Sequence, residues 1–229
     1  MDLLYTEILT DLREKITSNI LKEGQKLPSE RELTRQYDVS RNVVREAISA
    51  LRFEGLINVY TGKGAYVTKP NPIMITDTLE RIMKYYNTTI EEILEVREEL
   101  EKSIIKKVVK TATTEDIKNL IRIYQEMEKS KLNLGKFTEL DVEFHKYLAE
   151  STKNSIFNLL SNSFIDMTQH VLFIFTRMFP DSVKTAQSQH LDLIKAIENR
   201  NEQLAEDLII SHMQVLRDEI KILRENKLI

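Results

Sequence analysis

No cysteine and no tryptophan occur among the 229 residues, and glycine and proline number only five and four. The missing thiols exclude disulfide frameworks, thiolate nucleophiles, iron–sulfur clusters and every zinc motif that needs Cys, so a metal would have to be held by His and carboxylates. Scarce chain breakers argue against a sandwich or barrel with many turns and for long helices joined by short loops. A marked excess of cations or of anions is missing too. Against 33 Lys and Arg stand 36 Asp and Glu, a net charge of −3, so the chain is neither a polybasic arm nor an acidic tail. The longest strongly apolar run, Val171–Phe175, is far too short to span a bilayer, and the acidic residues Asp2, Glu7, Asp11 and Glu14 do not suit a signal peptide. These features point to a soluble, cytoplasmic protein with no membrane partner. At 41% hydrophobic and 30% charged, the sequence can bury a sizeable core.

The clearest boundary is Lys69-Pro70-Asn71-Pro72, which predicts a division into residues 1–70 and 71–229. The first part carries 11 basic and 10 acidic side chains, the second 22 and 26. In the first part Leu4, Ile8, Leu12, Ile16 and Ile20 recur at helical spacing and predict a helix ending at Gly24. Ser29 with Glu32 forms a prospective capping box for a helix over 30–37, and Ser40 opens another that runs to Phe53 before Gly55. Residues 56–60, a turn at 61–64 and residues 65–68 read as strand, turn and strand. Helix, helix–turn–helix and β-hairpin is the winged-helix order.

Along 40–53, Val44, Ala47, Ile48 and Leu51 make an inward stripe and leave Arg41, Asn42, Arg45, Ser49 and Arg52 outward. Arg41 and Arg45 lie one turn apart near the start of the helix, where a recognition helix presents side chains to major-groove base edges, and Arg can donate two bonds to guanine. Ser40 and Asn42 can bind phosphate or base, Arg31 can reach a phosphate, and the Thr61–Gly64 turn with Lys63 suits close approach to a minor groove. Taken alone, an Arg-x3-Arg pair is also what an ordinary solvated helix face carries.

Helical patterns continue over about 78–86, 90–111, 114–132, 137–152, 155–179, 182–199 and 202–225, a bundle whose short connections imply antiparallel neighbours. Asp141 and His145 fall one turn apart on an apolar helix side, and His190 and His212 each share a face with apolar residues of their own helices. Three imidazoles and a carboxylate thus point inward from three helices. They can be hydrogen-bonded core residues, or a divalent cation can satisfy all four, with Zn²⁺ foremost and Ni²⁺ or Mn²⁺ also suited to these donors. His170, the remaining histidine, is read as a core or cavity-lining residue.

Four segments carry a resemblance: Leu27-Pro28-Ser29-Glu30-Arg31-Glu32-Leu33, Val39-Ser40-Arg41-Asn42-Val43-Val44-Arg45-Glu46-Ala47-Ile48, Leu51-x3-Gly55-Leu56-Ile57, and Gly62-x-Gly64-x-Tyr66-Val67. They resemble the winged-helix domain of GntR-type bacterial transcription regulators. The resemblance implies DNA contacts by Arg31, Ser40, Arg41, Asn42 and Arg45, with Thr61 and Gly62 at the wing tip. Thr34 and Tyr37 depart from the residues usual there and are read as packing variation. In the second part, Glu95-Val96-Arg97-x2-Leu100-Glu101, Asp141-x2-Phe144-His145, His190-x2-Leu193-Ile194-x-Ala196-Ile197, Ala205 and His212 resemble the FCD ligand-binding domain of the FadR subfamily. That resemblance implies metal ligands Asp141, His145, His190 and His212. Arg97 is then either a partner for a carboxylate effector or an exposed salt bridge to Glu101.

The resulting expectation is a mostly α protein, an N-terminal winged helix followed by an all-α bundle. It would act as a homodimeric transcriptional repressor, not an enzyme, that binds double-stranded operator DNA under control of a small organic acid. Two rival readings remain open at this point: a metal-dependent hydrolase-like bundle fused to a DNA-binding module, and a DNA-binding regulator whose metal is purely structural.

Overall fold

The computed structural model describes residues 2–69 and 73–226; the expected boundary at residues 70–72 lies outside them. Two compact units divide between residues 75 and 76. Ten helices and one antiparallel hairpin are assigned among the described residues, in the order expected from the sequence.

The first unit begins with α1 (Asp2–Thr17), which buries Ile8, Leu9 and Leu12. This helix stops well short of Gly24. Ile16 and Ile20 keep the i, i+4 spacing, but Asn19 adopts a left-handed φ of 62° and leaves Ile20 67% exposed. Asn tolerates that conformation because its short polar side chain suffers little steric penalty there. Next come α2 (Glu30–Tyr37) and α3 (Arg41–Phe53). Ser29 caps α2 in the expected reciprocal box with Glu32, and Ser40 caps α3 through the Val43 amide. Leu33, Val44, Ala47 and Leu51 are fully buried, joined by Val43. Arg13 of α1 grips Glu54, just beyond α3, with Nε donating to Oε2 at 2.9 Å and Nη2 to Oε1 at 2.5 Å. Tyr37 donates its hydroxyl to Asp11, so this departure from the family pattern packs α2 onto α1.

Strands β1 (Ile57–Tyr60) and β2 (Gly64–Val67) pair antiparallel from Ile57 opposite Val67 to Tyr60 opposite Gly64. Each is trimmed by one residue relative to expectation or shifted by one, because the turn closes on Gly62 and Gly64, both at positive φ. Lys26 adds an isolated bridge to Tyr66.

After α4 (Ile73–Tyr86), the bundle consists of α5 (Ile90–Thr111), α6 (Thr114–Lys129), α7 (Leu134–Ser151), α8 (Ser155–Met178), α9 (Ser182–Glu198) and α10 (Glu202–Glu225). Capping boxes at Thr89 with Glu92 and at Thr113 with Asp116 start α5 and α6. Asn133, Asn154 and Asn201 cap α7, α8 and α10. Ile104, Val108, Leu120, Ile123, Phe144 and Ile197 belong to one buried cluster, while Leu94, Ile165, Met213 and Ile220 belong to a second. The turn between α9 and α10 inserts Arg200, whose guanidinium donates to the Val109 and Ala112 carbonyls at 2.6 Å each. Those carbonyls lie at the end of α5, where unsatisfied acceptors and the helix dipole favour a cation. Among the described residues no helix is long and apolar enough to cross a membrane.

Candidate metal centre and nucleic-acid interface

Helix α7 places Asp141 and His145 on one side a turn apart, α9 contributes His190 and α10 contributes His212. One ligand-capable atom from each of the four lies within 4.8 Å of the others. His145 Nε2 and His212 Nε2 are 3.2 Å apart, and His190 Nε2 stands 3.5 Å from Asp141 Oδ1. Nitrogen ligands at 2.0–2.1 Å from a tetrahedral zinc ion would be separated by about 3.3 Å, so the two short spacings suit a shared cation.

Tautomers sharpen this. The Gln189 carboxamide oxygen can only accept, so at 2.9 Å it fixes the proton of His212 on Nδ1 and leaves Nε2 a lone pair. His145 Nδ1 lies 3.2 Å from Glu101 Oε1, a charge contact that falls short of hydrogen-bond geometry. The Nε2 atoms of His145 and His212 face each other, so a cation between them would engage both lone pairs. His190 is 1% exposed and neither of its ring nitrogens has a hydrogen-bond partner. Such orphaned polar atoms are costly inside a protein, and a metal would satisfy them. The donor set therefore fits a divalent ion.

Electrostatics agree. Burial, followed by the neighbouring His212 and His145, holds the His190 pKa well below its ordinary value. Burial first, with His145 and Arg97 next, pushes His212 down to about 3. Asp141 is raised, chiefly by desolvation. Holding His190 and His212 neutral leaves their lone pairs available for coordination.

Arg97 is buried rather than solvent-facing, at 3% exposure. Its Nη1 donates to Thr168 Oγ1 at 3.1 Å, and its Nε stands 3.6 Å from Glu101 Oε1. The ion pair expected with Glu101 is thus an interior one, because both residues fall on the inward stripe of α5. A cavity of ≈ 50 Å³ is lined by Arg97, Asp141 and His212 together with apolar side chains and the uncharged polar Thr138, Thr176, Ser182 and Gln189. Any carboxylate entering it would meet a guanidinium and two of the four clustered groups.

His170 does not belong to the core. It is exposed on α8 and borders a surface cleft with Asp166, Gln169 and Phe173, because the helix turns Thr168, Leu172 and Phe175 inward instead.

In the first unit Arg31, Ser40, Arg41, Asn42, Arg45, Thr61 and Gly62 are all solvent-exposed. Arg45 Nε donates to Glu30 Oε2 at 2.9 Å, tying α3 to the start of α2. Both partners are substantially exposed, so the contact is easily exchanged. Tyr60 and Tyr66 meet edge-on at 5.7 Å and stiffen the wing.

Residues 4–67 match the family described as bacterial regulatory proteins of the gntR family, and residues 92–215, more than half of the chain, match the FCD domain. The chain belongs to the FCD-carrying GntR regulators. It is therefore a DNA-binding transcriptional regulator, and its FCD domain agrees with the FadR-subfamily resemblance. An HTH-type transcriptional repressor NanR from Cronobacter sakazakii is 28% identical over 211 residues, spanning 89% of this chain and 80% of the relative. The NanR repressor of Salmonella typhimurium is 29% identical over 207 residues, spanning 89% and 79%. Among solved structures, Streptococcus agalactiae GntR superposes with a TM-score of 0.71 at 25% identity, covering 93% of this chain and 99% of its own. E. coli McbR/YncC, at 17% identity and a TM-score of 0.51 over 98% of both chains, shares the fold.

Within this GntR regulator, two site residues escaped the sequence reading of the metal cluster. Glu101 appeared there only as a partner for Arg97, yet it also faces His145. Its i, i+4 spacing from Arg97 and its place on the inner stripe of α5 were the available signal. Gln189 orients His212 from the helix that supplies His190, and nothing in its spacing marks that role.

Proposed function

We propose that this regulator is a repressor in which residues 1–70 read DNA and residues 71–229 sense a small carboxylate at a divalent-metal site. Asp141, His145, His190 and His212 would hold the ion, which as a Lewis acid would offer open coordination positions to a carboxylate. Arg97 would pair with the same acid. The observation that carries the reading is the convergence of those four side chains beside a cavity that Arg97 also lines. Repression is supported by the relatives, which are named repressors.

On the DNA side, Arg41 and Arg45 would reach base edges from the first turns of α3. Ser40, Asn42 and Arg31 would contact phosphate or base, and Thr61 and Gly62 would carry the wing tip toward the minor groove. A homodimer would present two such units to a near-palindromic operator. Acid and operator are then linked: whatever factor the acid imposes on operator affinity, the operator imposes on acid affinity, typically through about 1–3 kcal/mol of coupling.

The test is operator binding by fluorescence anisotropy on a sequence selected in vitro, with the protein chelated, zinc-loaded, and zinc-loaded with a panel of small carboxylates. Metal uptake together with an acid-dependent change in operator affinity is expected. Zinc bound with no response to any acid would leave a structural metal, a reading favoured by the 1% exposure of both His145 and His190. Turnover of esters or amides by the zinc-loaded protein would instead revive the hydrolase reading.

A further inference from the structure

The DNA contacts proposed above leave one cation of the winged helix unassigned. A groove of ≈ 320 Å³, several times the space a single water needs, runs between the wing and the start of α2. Lys26, Glu30, Gly62 and Lys63 are among the residues that line it. Gly62 lies at the wing tip and Glu30 touches Arg45, so a duplex met by both the wing and α3 crosses the mouth of this groove.

Lys26 is held there from two directions. Its backbone forms the isolated antiparallel bridge to Tyr66, and the next amide, that of Leu27, donates to the Ala65 carbonyl at 2.9 Å. Its stem passes beside Gly64, where a Cβ would stand 3.0 Å from Lys26 Cε. The ammonium rests over the Tyr66 ring, 5.9 Å from the centroid. Such a contact at an exposed site is weak and leaves the ammonium free to donate elsewhere. The charge balance of the groove favours an anion. Its carboxylate, Glu30, is already paired with Arg45 at 2.9 Å. Lys26 and Lys63 are both exposed, and the described residues place no carboxylate within salt-bridge reach of either. We infer that Lys26 is a further DNA contact, which seats one backbone phosphate in the groove between the wing and α2. The inference rests on the DNA reading given above for α3 and the wing.

The test is anisotropy on the in vitro-selected operator and on a scrambled duplex over a series of salt concentrations, with wild type, Lys26→Gln and Lys26→Arg. In Lys26→Gln the slope of log affinity against log salt should become shallower by about 0.9 for each winged unit bound. Affinity at about 0.1–0.15 M salt should fall roughly 5- to 8-fold per unit on both duplexes, and Lys26→Arg should restore the slope. A neutral methylphosphonate, moved one position at a time through each half-site, should at one position erase the difference between wild type and Lys26→Gln. An unchanged slope overturns the inference even where affinity falls, since Lys26 would then only brace the wing against Tyr66. A loss confined to the operator overturns it in favour of base reading, and so does the lack of any methylphosphonate position that closes the gap. In each of these cases a weakened operator complex in Arg45→Ala leaves the DNA reading standing, whereas wild-type protein that selects no duplex overturns both.

Discussion

Replacing Glu101 with Gln removes a charge from the interior with almost no change in shape. Glu101 is 1% exposed, and its Oε1 stands 3.2 Å from His145 Nδ1 and 3.6 Å from Arg97 Nε. Burial alone would raise its pKa, but the attraction of His145, with Arg97 adding to it, brings it below the ordinary value. The carboxylate is thus held ionised by the groups it serves. If it fixes the His145 proton on Nδ1, it also makes Nε2 the more basic ligand atom, and loss of such an outer partner typically lowers metal affinity by roughly 10- to 100-fold. That is about 1.4–2.7 kcal/mol at the metal centre. The assay is zinc competition against a fluorescent chelator, with Asp116→Asn as a control that changes a buried carboxylate elsewhere in the bundle. Unchanged zinc affinity in Glu101→Gln, or an equal loss in the control, would refute the orienting role.

Further outcomes are expected from the same reasoning. His190→Ala should deplete bound zinc and lower the melting temperature of the zinc-loaded protein, as read by elemental analysis and calorimetry. Arg45→Ala should lose about 1–3 kcal/mol of operator affinity and relax base preference at one position if Arg45 reads guanine, whereas a uniform loss across sequences would assign it to phosphate. Glu30→Gln, which frees Arg45 from its 2.9 Å partner, should strengthen DNA binding a few-fold in an anisotropy titration. Asp116 accepts from Thr113 N at 2.9 Å, Thr113 Oγ1 at 2.8 Å and Lys153 Nζ at 2.7 Å. Burial opposes ionisation, yet the Lys153 and Thr113 hydrogen bonds prevail and set its pKa below the usual carboxylate value. Its stabilisation is therefore fully present above the unfolded-state pKa and is lost as pH falls through the lower folded value. Asp116→Asn should cost about 1–2 kcal/mol at neutral pH in urea denaturation, and the difference from wild type should shrink under acid.

Much of the fold is legible in the sequence where polar punctuation is local. Ser29 and Ser40 mark the starts of α2 and α3, and both helices begin and end where expected. Where periodicity outruns its stop signal, the reading fails. Ile20 continues the apolar rhythm of α1, but the left-handed Asn19 has already ended the helix. The inward aim of His145 and His190 follows from helical phase, and both are buried. Phase was also available for His170, which lies two residues from the inward Thr168 and Leu172 and so projects outward. The distance between Asp141 and His190 depends on how α7 and α9 cross, which no local pattern encodes. Gln189 shows the same limit: its partner is on α10, 23 residues away.

Arg200 pins the carbonyl end of α5 to the tip of the α9–α10 hairpin through two bonds of 2.6 Å each. Arg97 and Glu101 sit on that same α5, upstream of the clamp. The same helix is also held near its start, where Arg224 of α10 donates to Glu91 at 2.6 Å, so α5 is fastened to α10 at one end and to the turn before α10 at the other. Removing the Arg200 side chain would leave two carbonyls at the close of α5 without their donor and unfasten the hairpin tip from the helix that carries Arg97 and Glu101.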